Sequence, residues 1–301
     1  IFSMVIILVS CVKAGDKTKE EKNTVKEMDG LKHVDWSRNA NIYEVNIRQY
    51  TEEGTFDAFR KHLPRLKDMG VDILWIMPIH PVSELNRKGS LGSYYAVRDY
   101  KEVNPEFGNL NDFQELVDEV HSLGMKVIID WVANHSGWDN VWKDEHPEFY
   151  EKDKDGKLVS PFDWTDVISF DYNNQAMRDS MIDALKFWVK EYDIDGYRCD
   201  VAGMVPTDFW ETARYELDQI KPVFMLAEDE DQAALINKAF DMNYAWKLHH
   251  KMNEIAKGEK KAKDLWGYFL WSGTTFHEDA YRMNFTTNHD ENSWNGTIKE
   301  R

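Results

Sequence analysis

GYRCDVAGMVPTDFWETARYELDQIKPVFMLAE (196–228) is the stretch on which the fold turns. It reads as a strand at 196–201, a helix at 208–220 and a second strand at 223–228, whose apolar run ends at Glu228. Strand, helix, strand is the unit of a parallel β/α sheet. The same rhythm extends outward in both directions. Upstream lie an alternating strand at 41–50 (NIYEVNIRQY) and a helix carrying Phe56, Phe59, Leu63, Leu66 and Met69, ended by Gly70. The run ILWIM (73–77) follows, apolar as a parallel strand covered on both faces should be, then a helix at 111–123 and the strand VIIDWV (127–132). A helix at 175–192 precedes the quoted unit; downstream come a helix at 232–240, a short strand at 242–246, helical material to 271 and the strand RMNFTT (282–287). This predicts an α/β fold, a (β/α)₈ TIM barrel read as far as its seventh strand, with an open seam where the eighth belongs. A small aromatic-rich insertion domain is expected at 134–174, after strand three, and the catalytic barrel as a whole at 36–301. An open doubly wound sheet is the alternative, but no Gly-rich nucleotide loop follows the first strand.

The net charge of −17 excludes nucleic acid as a natural partner, because a polyanion is repelled by an acidic surface. It fits a neutral substrate and equally fits plain solubility. The chain opens on IFSMVIILVSC, an apolar run too short for a spanning helix and similar to the hydrophobic part of a signal peptide. Leu8-Val9-Ser10-Cys11 resembles a bacterial lipobox, so residues 1–11 are read as a lipoprotein signal with Cys11 lipidated. That predicts export to the cell envelope and membrane contact through the lipid anchor only. With Cys11 so used, Cys199 has no disulfide partner. Residues 12–35 are charged, lack apolar periodicity and read as a flexible tether.

In a parallel barrel the active site lies at the carboxyl ends of the strands. Strand three ends in Asp130 through His135, strand four carries Arg198-Cys199-Asp200, strand five ends at Glu228 and strand seven in Asn288-His289-Asp290. Period two places Arg198 and Asp200 on one face and turns Cys199 outward. An arginine beside Asp200 keeps that carboxylate ionised, as a nucleophile requires, whereas Glu228 follows an apolar run that suits a protonated acid. One charged nucleophile and one held proton are the needs of retaining glycoside hydrolysis, with the two carboxyl groups about 5–5.5 Å apart. Glu230 is the competing acid. His135 and His289 are placed to hydrogen-bond sugar hydroxyls.

The segments DWVANH (130–135), GYRCD (196–200), LAE (226–228) and FTTNHD (285–290), with the stretch from Gly92 into strand three, resemble the conserved regions of the α-amylase family, glycoside hydrolase family 13. The resemblance implies a retaining glycosidase acting on α-1,4-linked glucans or maltooligosaccharides; a glucanotransferase with the same residues is the close rival. It also implies Asp200 as nucleophile, Glu228 as general acid/base and Asp290 as transition-state stabiliser. Arg198, His135, His289 and Tyr95 would line the subsite of the reacting glucose, with Tyr94 as the alternative to Tyr95. No cofactor is implied for the chemistry. A structural calcium is a frequent feature of the family, and Asn134 matches one of its ligands. The acidic ligand's place is taken by Ser169, so the metal site is left open. Gly203-Met204 stand where many amylases have Lys-His, which changes contacts on the leaving-group side. Trp138, Trp142 and Trp164 are candidates for sugar platforms or for the insertion's own core.

Overall fold

A computed structural model describes residues 31–297 of the chain. The signal, Cys11 and most of the expected tether lie outside the described residues. Seven strands form one parallel sheet: β1 (Ile42–Val45), β2 (Ile73–Ile76), β3 (Lys126–Trp131), β6 (Gly196–Cys199), β7 (Phe224–Ala227), β8 (Met242–Tyr244) and β9 (Tyr281–Met283). Between β3 and β6, β4 (His135–Gly137) and β5 (Val167–Ser169) pair antiparallel as a separate small layer within 134–174. The seven strands neighbour one another in chain order without reversal, which excludes the doubly wound alternative.

The helices follow the sequence rhythm with physical departures. In chain order they are α1 (Ile47–Tyr50), α2 (Phe56–Arg60), α3 (Leu63–Asp68), α4 (Leu110–Ser122), α5 (Val141–Glu145), α6 (Gln175–Glu191), α7 (Thr207–Asp218), α8 (Leu235–Lys238), α9 (Trp246–Ala256), α10 (Leu265–Thr275) and α11 (His289–Asn295). The single helix expected over 56–69 is two, because Pro64 in the first turn of α3 has no N–H to continue the ladder from α2. The last strand is shorter than 282–287; its remainder is loop, and Asn288 caps α11 by accepting from the Glu291 N–H at 2.8 Å. A capping box of Asn109 and Asp112 starts α4, and Asn174 caps α6. Among the described residues no helix is long and apolar enough to cross a membrane.

Period two sorts the strand residues into two cores. Leu74, Ile76, Val127, Ile129, Tyr197, Cys199, Met225 and Ala227 pack outward against the helices. Ile73, Trp75, Ile128, Phe224, Leu226, Met242, Tyr244 and Met283 face one another inside the curled sheet. At Gly196 this interior leaves no room for a side chain: an added Cβ would stand 1.8 Å from the Phe224 carbonyl oxygen. The edges β1 and β9 do not pair with each other among the described residues; residues of both line one cleft of about 930 Å³. Around that cleft the sheet's ends are tied by side chains, Ser37 to Tyr281 and Glu44 to His289.

The tether expected to reach residue 35 ends earlier. His33 is buried with Nδ1 2.9 Å from Asp241 Oδ1, and Val34 joins the interior core. The reason is a partner more than two hundred residues away, which local composition does not reveal.

Candidate active site

Register brings the charged residues together. Asp130 on β3 stands opposite Arg198 on β6, and Cys199 opposite Ala227 on β7, so Asp200 and Glu228 leave adjacent strand ends side by side. Arg198, with no exposed side-chain surface, is the hub. Its Nη1 lies 2.9 Å from Asp130 Oδ1 and 3.2 Å from Asp200 Oδ1, and its Nη2 lies 2.8 Å from Glu228 Oε2 without the alignment of a hydrogen bond. Tyr244 Oη accepts from Nε at 3.3 Å, and Trp75 Nε1 donates to Asp130 Oδ2 at 3.0 Å. The pairing legible in the sequence is that of the guanidinium with Asp200. The guanidinium touches Glu228 as well, because the parallel register sets the two strand ends level.

One arginine among three carboxylates leaves an excess of negative charge in a dry place. Burial lifts the Asp130 carboxyl to about 6 in spite of Arg198. Burial, then the Glu228 charge, push Asp200 well above the usual carboxylate range, with Arg198 pulling the other way. Glu228 Oε2 also accepts the Val201 N–H at 2.7 Å. Val201 holds that position at φ +37°, a left-handed conformation that a β-branched residue rarely adopts.

Tyr95, not Tyr94, joins this cluster. Its hydroxyl lies 3.2 Å from Asp130 Oδ2 and 2.9 Å from His289 Nε2, and its ring stacks on His289 at 5.7 Å. Tyr94 instead lies under the Arg48 guanidinium, 4.5 Å away. His289 is held from behind by Glu44, which takes its N–H at 3.0 Å and its Nδ1 at 2.6 Å. Burial lowers the affinity of His289 for a proton, but the Glu44 bond and charge outweigh it and the net shift is upward. As imidazolium, Nε2 donates to Tyr95, which can donate on to Asp130. Asp290, about one-third exposed, reaches the cluster through His289 Nε2 at 3.4 Å.

His135 sits at the rim, buried, with its Nδ1 accepting from Asn134 Nδ2 at 3.1 Å and Trp164 edge-on at 5.5 Å. Burial pushes its pKa down to about 4, so it is neutral in ordinary buffers. Of the insertion's other tryptophans, Trp142 stacks on Tyr100 at 4.9 Å and belongs to the core, and Trp138 donates to the Thr165 carbonyl. Glu230 turns away from the cluster to the start of α9, accepting the Lys247 N–H at 2.8 Å and lying 3.5 Å from Arg282.

The surroundings of Asn134 do not fit a calcium ion. Asn134 donates Nδ2 to His135 and offers only its Oδ1 as a ligand, Ser169 offers a neutral hydroxyl, and the nearby Asp166 carboxylate is held by the Lys88 ammonium at 3.1 Å. Calcium needs several oxygen ligands, carboxylates among them.

Asp130, Glu44, Tyr244 and Trp75 were not assigned roles from the sequence. Asp130 was visible as a charge inside an apolar strand run. Glu44 was equally visible as an acid on the inward face of the first strand, but its partner lies 245 residues away.

Residues 26–166 match the family profile described as Alpha amylase, catalytic domain. The chain is 27% identical over 273 residues to the α-amylase MalA of Haloarcula japonica, covering 85% of this chain and 39% of that protein. It is 28% identical to an α-1,4-glucan:maltose-1-phosphate maltosyltransferase of Cereibacter sphaeroides, covering 81% of this chain and 38% of that one. The chain thus spans about two fifths of the length of these relatives. The crystal structure of an α-amylase from Lactobacillus plantarum superposes with a TM-score of 0.80 at 38% identity, over 85% of this chain and 64% of that one. With its parallel strand order, its strand-end carboxylates and these likenesses, the chain belongs to the α-amylase family.

Proposed function

We propose that this protein is a retaining glycosidase acting on α-1,4-linked glucans or maltooligosaccharides, with Asp200 as nucleophile and Glu228 as general acid/base. The observation that carries this reading is the Arg198 guanidinium, in reach of both Asp200 and Glu228 at adjacent strand ends. An Asp200 oxygen attacks the anomeric carbon while the glycosidic C–O bond breaks, its electrons passing to the leaving oxygen, which takes the Glu228 proton. Water then gives a proton to Glu228 as its oxygen attacks the same carbon, releasing Asp200 as carboxylate. Arg198 favours the ionised form of Asp200 before attack, against the burial and the Glu228 charge that push its pKa upward. Tyr95 and His289 form one wall against the sugar ring, His135 another, and Asp290 stabilises the positive charge that develops at the anomeric carbon.

A transferase differs only in which hydroxyl takes the second step, and the maltosyltransferase likeness supports keeping that alternative. Proton NMR of maltooligosaccharide turnover, with and without added glucose, tests both points. The α-anomer appears first if configuration is retained, and initial β-anomer overturns the mechanism. Glucose-extended products identify a transferase. Attachment to the envelope through Cys11 rests on the apolar run before it. Fatty-acid labelling that survives Cys11→Ser would overturn that attachment.

A further inference from the structure

We propose a transition-metal site, outside the catalytic cluster, formed by His249, His250 and Glu291. His249 and His250 lie on α9, Glu291 on α11, and one ligand atom from each lies within 4.8 Å of the others. His249 and Glu291 are buried, and His250 is at the surface, where an ion could enter.

The hydrogen bonds of His249 set its tautomer. Its Nδ1 lies 3.1 Å from the Phe285 carbonyl oxygen, which can only accept, so Nδ1 carries a proton. A backbone carbonyl behind one ring nitrogen is the usual support of a metal-binding histidine, because it aims the other nitrogen's lone pair. That other nitrogen, Nε2, lies 3.0 Å from the Asn253 amide nitrogen, a donor, and so presents a lone pair there. The same Nε2 stands 3.3 Å from Glu291 Oε2. That is long for a charge-assisted hydrogen bond, about 2.7–2.9 Å. It equals the edge, about 3.3 Å, of a tetrahedron with metal bonds of about 2.0 Å. A cation seated between them would take the Nε2 lone pair from the Asn253 amide and share Glu291 Oε2 with the Asn295 amide, which now donates to it at 2.9 Å. The His249 ring is further fixed by Phe285, stacked 4.6 Å away and inclined by 4°. Two imidazoles and a carboxylate with one open position suit zinc or cobalt rather than calcium or magnesium.

The placement has a consequence for the barrel. Glu291 follows Asp290 directly, and α11 begins at His289. An ion shared by α9 and α11 fastens the segment bearing His289 and Asp290 to the helix after β8.

The probe is Zn²⁺ or Co²⁺ added to the metal-stripped full-length protein. The expected result is one Co²⁺ bound with visible absorption of low-symmetry coordination, a micromolar or tighter Kd for Zn²⁺, and a rise in melting temperature on binding. His250→Ala, at an exposed position that leaves folding undisturbed, should weaken binding at least tenfold, and Glu291→Gln should abolish the cobalt spectrum. Absence of saturable binding, or unchanged affinity in His250→Ala, overturns the site. So does a folded wild type whose His249 is shown by NMR to be an imidazolium paired with Glu291 in the presence of Zn²⁺. None of these readouts depends on glycosidase activity.

Discussion

Arg198 and Arg214 are both buried and both bracketed by carboxylates, yet they stand at opposite ends of the strands and serve different ends. Arg214, on α7, binds Asp241 at 2.8 Å and Asp218 at 2.8 Å. Asp241 has no exposed side-chain surface; its remaining oxygen valence goes to His33 and to the Met225 N–H at 2.8 Å. Arg198 faces three acids, of which Asp200 and Glu228 keep 12% and 14% of their side-chain surface open. The Arg214 set, sealed at Asp241 by a histidine and a backbone N–H and open at Asp218, which keeps 35% of its side-chain surface exposed, is a strut between α7, β7 and the segment before the first strand. The Arg198 set, with more acids than cations, is a place where protons and charge can move. Identical residue types therefore separate into scaffold and chemistry by charge balance, three carboxylates on Arg198 against two on Arg214, at the two ends where a parallel barrel keeps its stability and its reactivity.

Substitution at each arginine's partner breaks the comparison most sharply. Asp200→Asn should lower turnover by a factor on the order of 10⁴ or more with little change in melting, because an amide cannot form the glycosyl ester. Residual activity within tenfold of the parent, with deamidation excluded by mass spectrometry, would misplace the nucleophile. Asp241→Asn should do the reverse. Leaving Arg214 and His33 without their buried anion costs about 3–5 kcal/mol in denaturant unfolding. Turnover per folded molecule should stay close to the parent, and loss of turnover without loss of stability would show that the strut is part of the site.

Acid sharpens the same contrast. His80, packed among Tyr100, Trp131 and Trp188, is pushed down to about 4 by burial, and its Nε2 has no partner. Between the unfolded value near 6.5 and the folded value near 4, the unfolded chain binds the extra proton, so stability falls as pH falls. His135 acts in the same direction. Asp130, raised to about 6, acts in the opposite one, since the native state takes up its proton first as pH falls below 6. His80 and His135 each contribute a decline in stability from pH 6.5 to 4, against which Asp130, Asp200 and the upward-shifted His289 act, so the His80 share is read by its removal. His80→Asn should flatten that decline by up to about 3 kcal/mol. An unchanged slope would mean that His80 is protonated in the folded state.

Smallest in effect is Val201→Gly. Release of the left-handed valine offers about 1 kcal/mol or less of stability, while the N–H that Glu228 accepts becomes less firmly placed. The expected outcome is a melting temperature equal to or above the parent's with turnover reduced a few-fold; a large drop in stability would show that Val201 packs rather than strains.

How much of this was legible in the sequence follows from the range of each interaction. The strands and the Arg198–Asp200 pairing could be read because their period is local and their charges interrupt apolar runs. The break at Pro64 is a local signal too, masked by the apolar spacing that runs across it. Glu44 beneath His289, His33 on Asp241 and the sharing of Arg198 with Glu228 depend on register and on chain closure across the fold. No local pattern encodes those. The metal-site residues were hidden for the same reason, since α9 and α11 meet only after the sheet has curled.

The most direct test of the account is to trap the intermediate. Glu228→Gln, given a glycosyl fluoride that needs no acid to depart, should accumulate a glycosyl ester, and peptide mass spectrometry should find one added glycosyl unit on the peptide containing Asp200. An adduct on Asp130 or Asp290, or release of inverted sugar with no adduct at all, would contradict the assignment of Asp200 and Glu228 to nucleophile and acid.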